Sequence, residues 1–410
     1  MGSSEELIQR WARLTVHAVN VQPRQRVLVR ADPEHSAAVE AIARAAYQVG
    51  ADYVEYIPES NRLLRARLDH APDSSFDIIP EFRQHRQREL LRDNWALIVI
   101  MSPADPHALD GSDTGRIGKL TALHATADAE FRRQLHNNGI RWCVVAAPTN
   151  GWSLQVLGES SAQTPTERMW QVLETIYRLD TDDPIEFWDR HTGMLQQRAA
   201  QLNAMSIREL HFTGGGSDLV VGLHELAVWN GGGAVSKDGQ RFYPNVPTEE
   251  CFTTPDARLT QGRAQVSRPV TVLGKQVENA WFEFDRGRVV DFGASSNRDV
   301  LETFLEVDHG SRAMGEIALV DTDSPIFRSG LLFDNILLDE NAACHFALGF
   351  AYPRCIKGGE AFSEEQLIEH GANRSGQHLD FMIGTPDTAV EATLADGSVR
   401  SIIDRGTFTL

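Results

Sequence analysis

Three acids and two histidines in the last two-fifths of the chain, Glu250, Glu316, His345, His378 and Asp380, are of the types that hold divalent cations. Carboxylates can bridge two cations and neutral imidazoles add directional bonds, so a mixed set suits two ions held close together. The local contexts are P-T-E-E-C-F-T (247–253), M-G-E-I-A-L-V (314–320), E-N-A-A-C-H-F-A-L-G (340–349) and H-L-D-F-M-I-G (378–384). Glu316 leads into Ile-Ala-Leu-Val, which reads as a buried strand. A carboxylate there needs a partner, either a cation or an arginine such as Arg312. His378 and Asp380 are two residues apart, so a strand would turn both to one side. On chemistry alone Glu249 is as good a candidate as Glu250. A histidine in a run as apolar as that around His345 is by itself more often a packed core residue. Tyr352 before Pro353 is, by itself, an ordinary packed ring.

Two cysteines flank these positions, Cys251 and Cys344; with Cys143 and Cys355 they are the four in the chain. No C-x-x-C occurs, and the spacing forms neither a zinc ribbon nor a disulfide framework. They read as small buried fillers, reduced as in a cytoplasmic protein.

The elements that must position this chemistry fall into two textures. In the first, Arg26–Arg30, Tyr53–Ile57, Ala96–Met101 and Trp142–Ala147 are apolar strands separated by helical stretches, such as the alanine-rich Ser36–Gly50. Strands apolar on both faces, alternating with helices, indicate a parallel sheet covered on both sides. The turn after the first strand, Ala31-Asp-Pro-Glu-His35, has no G-x-G-x-x-G or G-K-[ST], and Pro33 with two acids opposes a phosphate cradle. Thr164-Pro-Thr-Glu167 looks like a helix start, and Pro184 breaks the run before a second helix from Ile185 onward. After Ile207 the pattern turns to β: Arg208–Phe212 and Leu219–Leu223 around Gly214–Asp218 read as a hairpin. Val266–Leu273, Ala280–Asp285 and Arg288–Phe292 continue the meander. The expected architecture is an α/β N-terminal domain with a mostly parallel sheet over 1–190, ending in a helical hinge region. A β-rich α+β domain over 191–410 would carry the candidate ligands.

At 410 residues two domains are the default. An apolar fraction of 42% with 8% aromatics is that of a globular enzyme. The net charge of −18, without any basic run, argues against a nucleic-acid partner. The first 20 residues lack a basic n-region and read as an amphipathic helix with Leu7, Trp11, Leu14 and Ala18 on one face. With no run of 18 apolar residues, no membrane partner is expected, and the expected location is the cytoplasm.

Taken together, the four contexts resemble the M29 family of metallo-aminopeptidases, the group of aminopeptidases T and S. The resemblance is strong in the C-terminal half and one of texture and length in the N-terminal half. It selects Glu250 over Glu249, because the family's metal-binding glutamate stands immediately before a hydrophobic-Phe-Thr segment. It selects His345, because Asp339-Glu340-Asn341 matches the family's D-E-N upstream of a metal histidine. It makes Glu316 the ligand shared by both ions and places a catalytic tyrosine at Tyr352; which of the other ligands serves which ion stays open, the expected division being Glu250 with His345 on one and His378 with Asp380 on the other. A phenol neutral at pH 7 can donate to an oxyanion. Asp308 and His309 are not ligands in the family and remain candidates for support behind the ligands.

The resemblance thus implies a metal-dependent aminopeptidase with two divalent ions per chain, zinc, cobalt, manganese or magnesium. Its substrates would be peptides with a free N-terminus, and its assembly a homodimer. Two alternatives differ in class. Some ring-opening dioxygenases resemble M29 proteins and use one iron, for which His345, His378 and Asp380 would suffice; the other is a bilobal binding protein without turnover. Retention of Glu250, Glu316 and Tyr352 together favours the peptidase.

Overall fold

The computed structural model describes residues 4–160 and 162–410. The chain forms two compact units, Met1–Trp188 with Gly233–Pro247, and Asp189–Gly232 with Thr248–Leu410. The division falls inside the helix Pro184–Ala204.

In the first unit four parallel strands lie in the order Tyr53–Pro58, Arg26–Ala31, Ala96–Ile100, Trp142–Val145. The helix Ser4–Ala18 buries Leu7, Trp11, Leu14 and Ala18, the face that its periodicity predicts. Trp11 meets Trp170 and Tyr177 edge-on, with ring centres 5.8 and 6.5 Å apart. The helix Pro165–Ile176 begins with the reciprocal cap read from Thr164 and Glu167.

Residues 233–247 belong to this unit rather than to the β-rich part, for a reason in the backbone. The Val144 N–H donates to Pro244 O at 2.7 Å, and the Val246 N–H donates to Val144 O at 3.1 Å. The returning segment therefore covers the open edge of the last strand, satisfying groups that would otherwise be unpaired.

His35, at the end of the first strand's turn, is 2% exposed, and its Nε2 lies 3.1 Å from Ala147 O. Burial lowers its pKa below the usual 6.5, partly opposed by that carbonyl and by Asp32 and Glu34. The unfolded chain then takes up a proton that the folded chain resists. Stability from this residue is complete above pH 6.5 and is lost as the pH falls from there towards the folded pKa. His35→Gln, which keeps a donor for Ala147 O, is expected to lose less Tm than the parent between pH 7.5 and 5. Parallel Tm-versus-pH curves for the two proteins would refute this.

The second unit is built from two antiparallel sheets. One has eight strands, in the order Arg288–Gly293, Trp281–Asp285, Gln261–Gln265, Ser217–Gly222, Ile207–Gly214, Ala389–Leu394, Val399–Asp404, Thr407–Phe408. The hairpin read around Gly214–Asp218 is its centre. The other has five strands, in the order His378–Met382, His345–Gly349, Met314–Val320, Glu250–Thr253, Asn230–Gly231. Side chains from both sheets form one core, in which the Phe282 ring centre lies 4.8 Å from Phe381 and 5.8 Å from Phe346.

The strand expected over Val266–Leu273 is interrupted and keeps only Val270–Val272. Pro269 has no N–H to give to a ladder, and the Ser267 N–H is taken by Met382 O at 2.7 Å. Among the described residues no helix is long and apolar enough to cross a membrane.

Candidate metal centre

Register decides which residues meet. Directly opposed residues in an antiparallel ladder project from the same face, and alternate residues along each strand share it. The pairs are Glu250 with Val320, Ala318 with His345, Glu316 with Ala347, Ala347 with Asp380, and Gly349 with His378. Glu250, Glu316, His345, His378 and Asp380 therefore stand on one face of four adjacent strands. The opposite face sends Cys251, Ile317, Leu319, Phe346, Leu348 and Phe381 into the core. Both cysteines beside the candidate ligands, Cys251 and Cys344, are buried core members, and burial pushes each thiol up to about 12. They are not nucleophiles at neutral pH.

Small residues lie between the candidate ligands: Ala318, Ala347 and Gly349. They leave room above the sheet. Gly349 is also required by the backbone, since its φ is +113° and a Cβ there would lie 2.2 Å from Gln377 O.

Donor atoms of Glu250, Glu316 and His345 all lie within 4.8 Å of one another. His345 Nε2 is 3.4 Å from Glu250 Oε2, and His378 Nε2 is 3.6 Å from Glu316 Oε2 and 3.7 Å from Asp380 Oδ1. Two ligands on one tetrahedral ion, each about 2.0–2.1 Å from it, stand roughly 3.3–3.4 Å apart. The spacing suits donors that share a cation. Each imidazole turns its Nδ1 to a backbone carbonyl, His345 to Ala343 O at 3.1 Å and His378 to Phe350 O at 2.8 Å. An Nδ1–H donated to the carbonyl leaves Nε2 as the coordinating atom, aimed at the carboxylates.

The electrostatics call for positive charge. Burial, then the charges of Glu250 and Asp380, hold the Glu316 carboxyl well above the usual carboxylate range. Burial, then Asp380 and Glu250, do the same to Glu340. Burial alone would make His345 less basic, but its contact with Glu250 outweighs that and pushes its pKa up to about 10. Glu250 Oε2 is buried without a hydrogen-bond partner, its 3.4 Å approach to His345 being an ion pair without hydrogen-bond geometry. Four crowded acids, one with an orphaned oxygen, fit a multivalent cation and are costly otherwise.

Tyr352 lies beside this group, its ring centre 5.1 Å from that of His378. Burial, then the charge of Glu316, raises its pKa well above the usual 10, so the phenol keeps its proton. Glu249 is buried, its carboxylate 3.0 Å from His191 Nε2, and its N–H donates to Asn341 Oδ1 at 2.7 Å. Asp308 accepts from the Ser311 and Gly376 N–H groups and the Ser375 hydroxyl, fixing the turn that enters the His378 strand. His309 instead contacts Arg288.

The match to known proteins extends over the whole site. A family model described as "Thermophilic metalloprotease (M29)" matches residues 4–408. The chain belongs to the M29 metalloprotease family. Aminopeptidase 2 of Geobacillus stearothermophilus is 35% identical, covering 99% of this chain and 98% of that one. Aminopeptidase T of Thermus thermophilus is 33% identical over 99% of each. The solved structure titled "Wild-type AmpT from Thermus thermophilus" superposes with a TM-score of 0.91 at 33% identity, covering 98% of this chain and 99% of that one. As an M29 member the chain is a metallopeptidase, and so a hydrolase. Within M29's D-E-N segment, each residue has a separate task here. Asp339 caps the Phe333 and Asn335 N–H groups at 3.0 Å each, Glu340 is coupled by charge to Asp380 and Glu250, and Asn341 binds the segment before Glu250. The residue missed as a site candidate is Glu340, which its sequence context presents only as part of a signature.

Proposed function

We propose that this M29 enzyme releases N-terminal residues from peptides at a centre of two divalent cations, zinc, cobalt, manganese or magnesium. The observation that carries the reading is three acids and two imidazoles on one sheet face, with His345 3.4 Å from Glu250, His378 3.6 and 3.7 Å from Glu316 and Asp380, and Glu316 joining the two groups within 4.8 Å. The aminopeptidase names of the relatives supply the reaction. Glu250 and His345 would hold one ion, His378 and Asp380 the other, with Glu316 between them and Glu340 adding a fourth carboxylate. When bound, such cations supply Lewis acidity and a water acidic enough to ionise near neutral pH. The chain's own part is positional and electrostatic. Carbonyl contacts fix both imidazoles, the small-residue floor leaves space for the scissile bond, and the neutral Tyr352 phenol donates to the oxygen that gains charge. The dioxygenase alternative finds no support in these relatives.

The test uses leucyl-anilide and its N-acetyl form. The free amine should be cleaved and the blocked one should not, because an exopeptidase positions its substrate by the charged terminus. Exhaustive EDTA treatment should abolish turnover, and cobalt or zinc should restore it. Turnover that survives chelation would remove the metal reading; equal cleavage of both anilides would remove the exopeptidase reading.

A further inference from the structure

We infer that Arg354 is a specificity-determining residue that binds a carboxylate of the peptide substrate beside the metal-binding face. The inference rests on the peptidase reading above. Arg354 sits in the single turn Pro353–Cys355 that follows Tyr352. Its guanidinium carbon lies 5.3 Å from the ring centre of Phe252 and 5.2 Å from that of Tyr352. Phe252 is paired with Ala318, so it projects from the same sheet face as the acids and imidazoles. Two rings thus hold the cation at the edge of this face.

Three arginines of this unit are spent on acids: Arg258 on Asp256 at 2.6 Å, Arg198 on Asp321 at 2.8 Å, Arg374 on Glu364 at 2.5 Å; Arg263, like Arg354, lies over a ring, that of Trp281. Arg354 differs from those three. Among the described residues it makes no ion pair or hydrogen bond, and its Nε is buried without a partner. It is close enough to weaken the proton affinity of Glu316 and Tyr352 through space, yet no carboxylate of the centre lies within 4.0 Å of it. A guanidinium held by aromatic faces, with its donors unused, is ready for an incoming planar anion. Its fork matches a carboxylate with two parallel hydrogen bonds. A peptide carries that group at its C-terminus or on an aspartate or glutamate side chain.

Four peptides separate the sources: Leu-Leu against Leu-Leu-amide, and Leu-Asp-amide against Leu-Asn-amide, each assayed for kcat/KM with the metal-loaded enzyme. A C-terminal source raises the first ratio and a side-chain source the second, by about 10- to 100-fold, the usual worth of hydrogen bonds to a charged group. Arg354→Met should bring the raised ratio close to one. Arg354→Lys, which keeps the charge without the fork, should leave an intermediate ratio and serves if the Met variant does not fold. Ratios near one in the parent enzyme, or equal in parent and variants, would overturn the inference while the peptidase reading stands. A parent enzyme that cleaves none of the four would overturn both.

Discussion

Glu316→Gln is expected to drop the metal content below two ions per chain and to take the activity with it. Glu316 reaches both halves of the centre: a donor oxygen lies with those of Glu250 and His345 inside 4.8 Å, and Oε2 is 3.6 Å from His378. The amide keeps the shape but removes the charge that would lie between the two proposed cations. Residues that merely support a ligand change metal affinity 10- to 100-fold, so a shared ligand should cost at least about 100-fold. The same substitution should act in the opposite direction on chelated protein. It removes a carboxyl that burial and the neighbouring acids hold well above its usual pKa, and a gain of about 1 kcal/mol raises Tm by roughly 2–4 °C for a domain of this size. Metal analysis and Tm in EDTA read the two effects separately. Two retained ions with full activity would show that the dinuclear centre is wrongly drawn.

Tyr352→Phe should behave differently. Its ring packs edge-on against Phe350 and Phe252, with centres 5.7 and 6.3 Å apart, and phenylalanine keeps both contacts. Every candidate ligand is untouched, so metal content should stay near two. The rate should still fall by about 10²–10³, the loss typical of one oxyanion donor. Near-parental turnover would strip Tyr352 of that role and leave the metal centre standing.

Much of this was legible in the sequence because the candidate ligands sit in strands. The alternation that turns His378 and Asp380 to one side also sends Leu379 and Phe381 to the other, and the ladder carries that rule across to Glu316 and Glu250. The parallel sheet of the first unit was visible for a related reason, since strands covered on both faces must be apolar throughout. Three features were not visible. Glu340 joins the candidate acids only through its charge coupling to Asp380 and Glu250, a tertiary effect without local periodicity. Arg354 follows a proline in a turn, where arginines are commonly solvated, and only the two rings distinguish it. Residues 233–247 join the first unit through hydrogen bonds to Val144, and backbone pairing at a distance leaves no trace in side-chain pattern.

The ladder also determines how this enzyme can change through inheritance. Four of the five candidate ligands hang from three consecutive, mutually paired strands whose reverse side is the core. One residue inserted within His345–Gly349 would turn His345 inward and bring Phe346 out in its place. Lineages can therefore exchange side chains in these strands but can hardly lengthen or shorten them. The turn after Gly349, which carries Tyr352 and Arg354, lies beyond the last residue of that ladder and does not share its alternation. A substitution in that turn therefore leaves the register of the candidate ligands as it is.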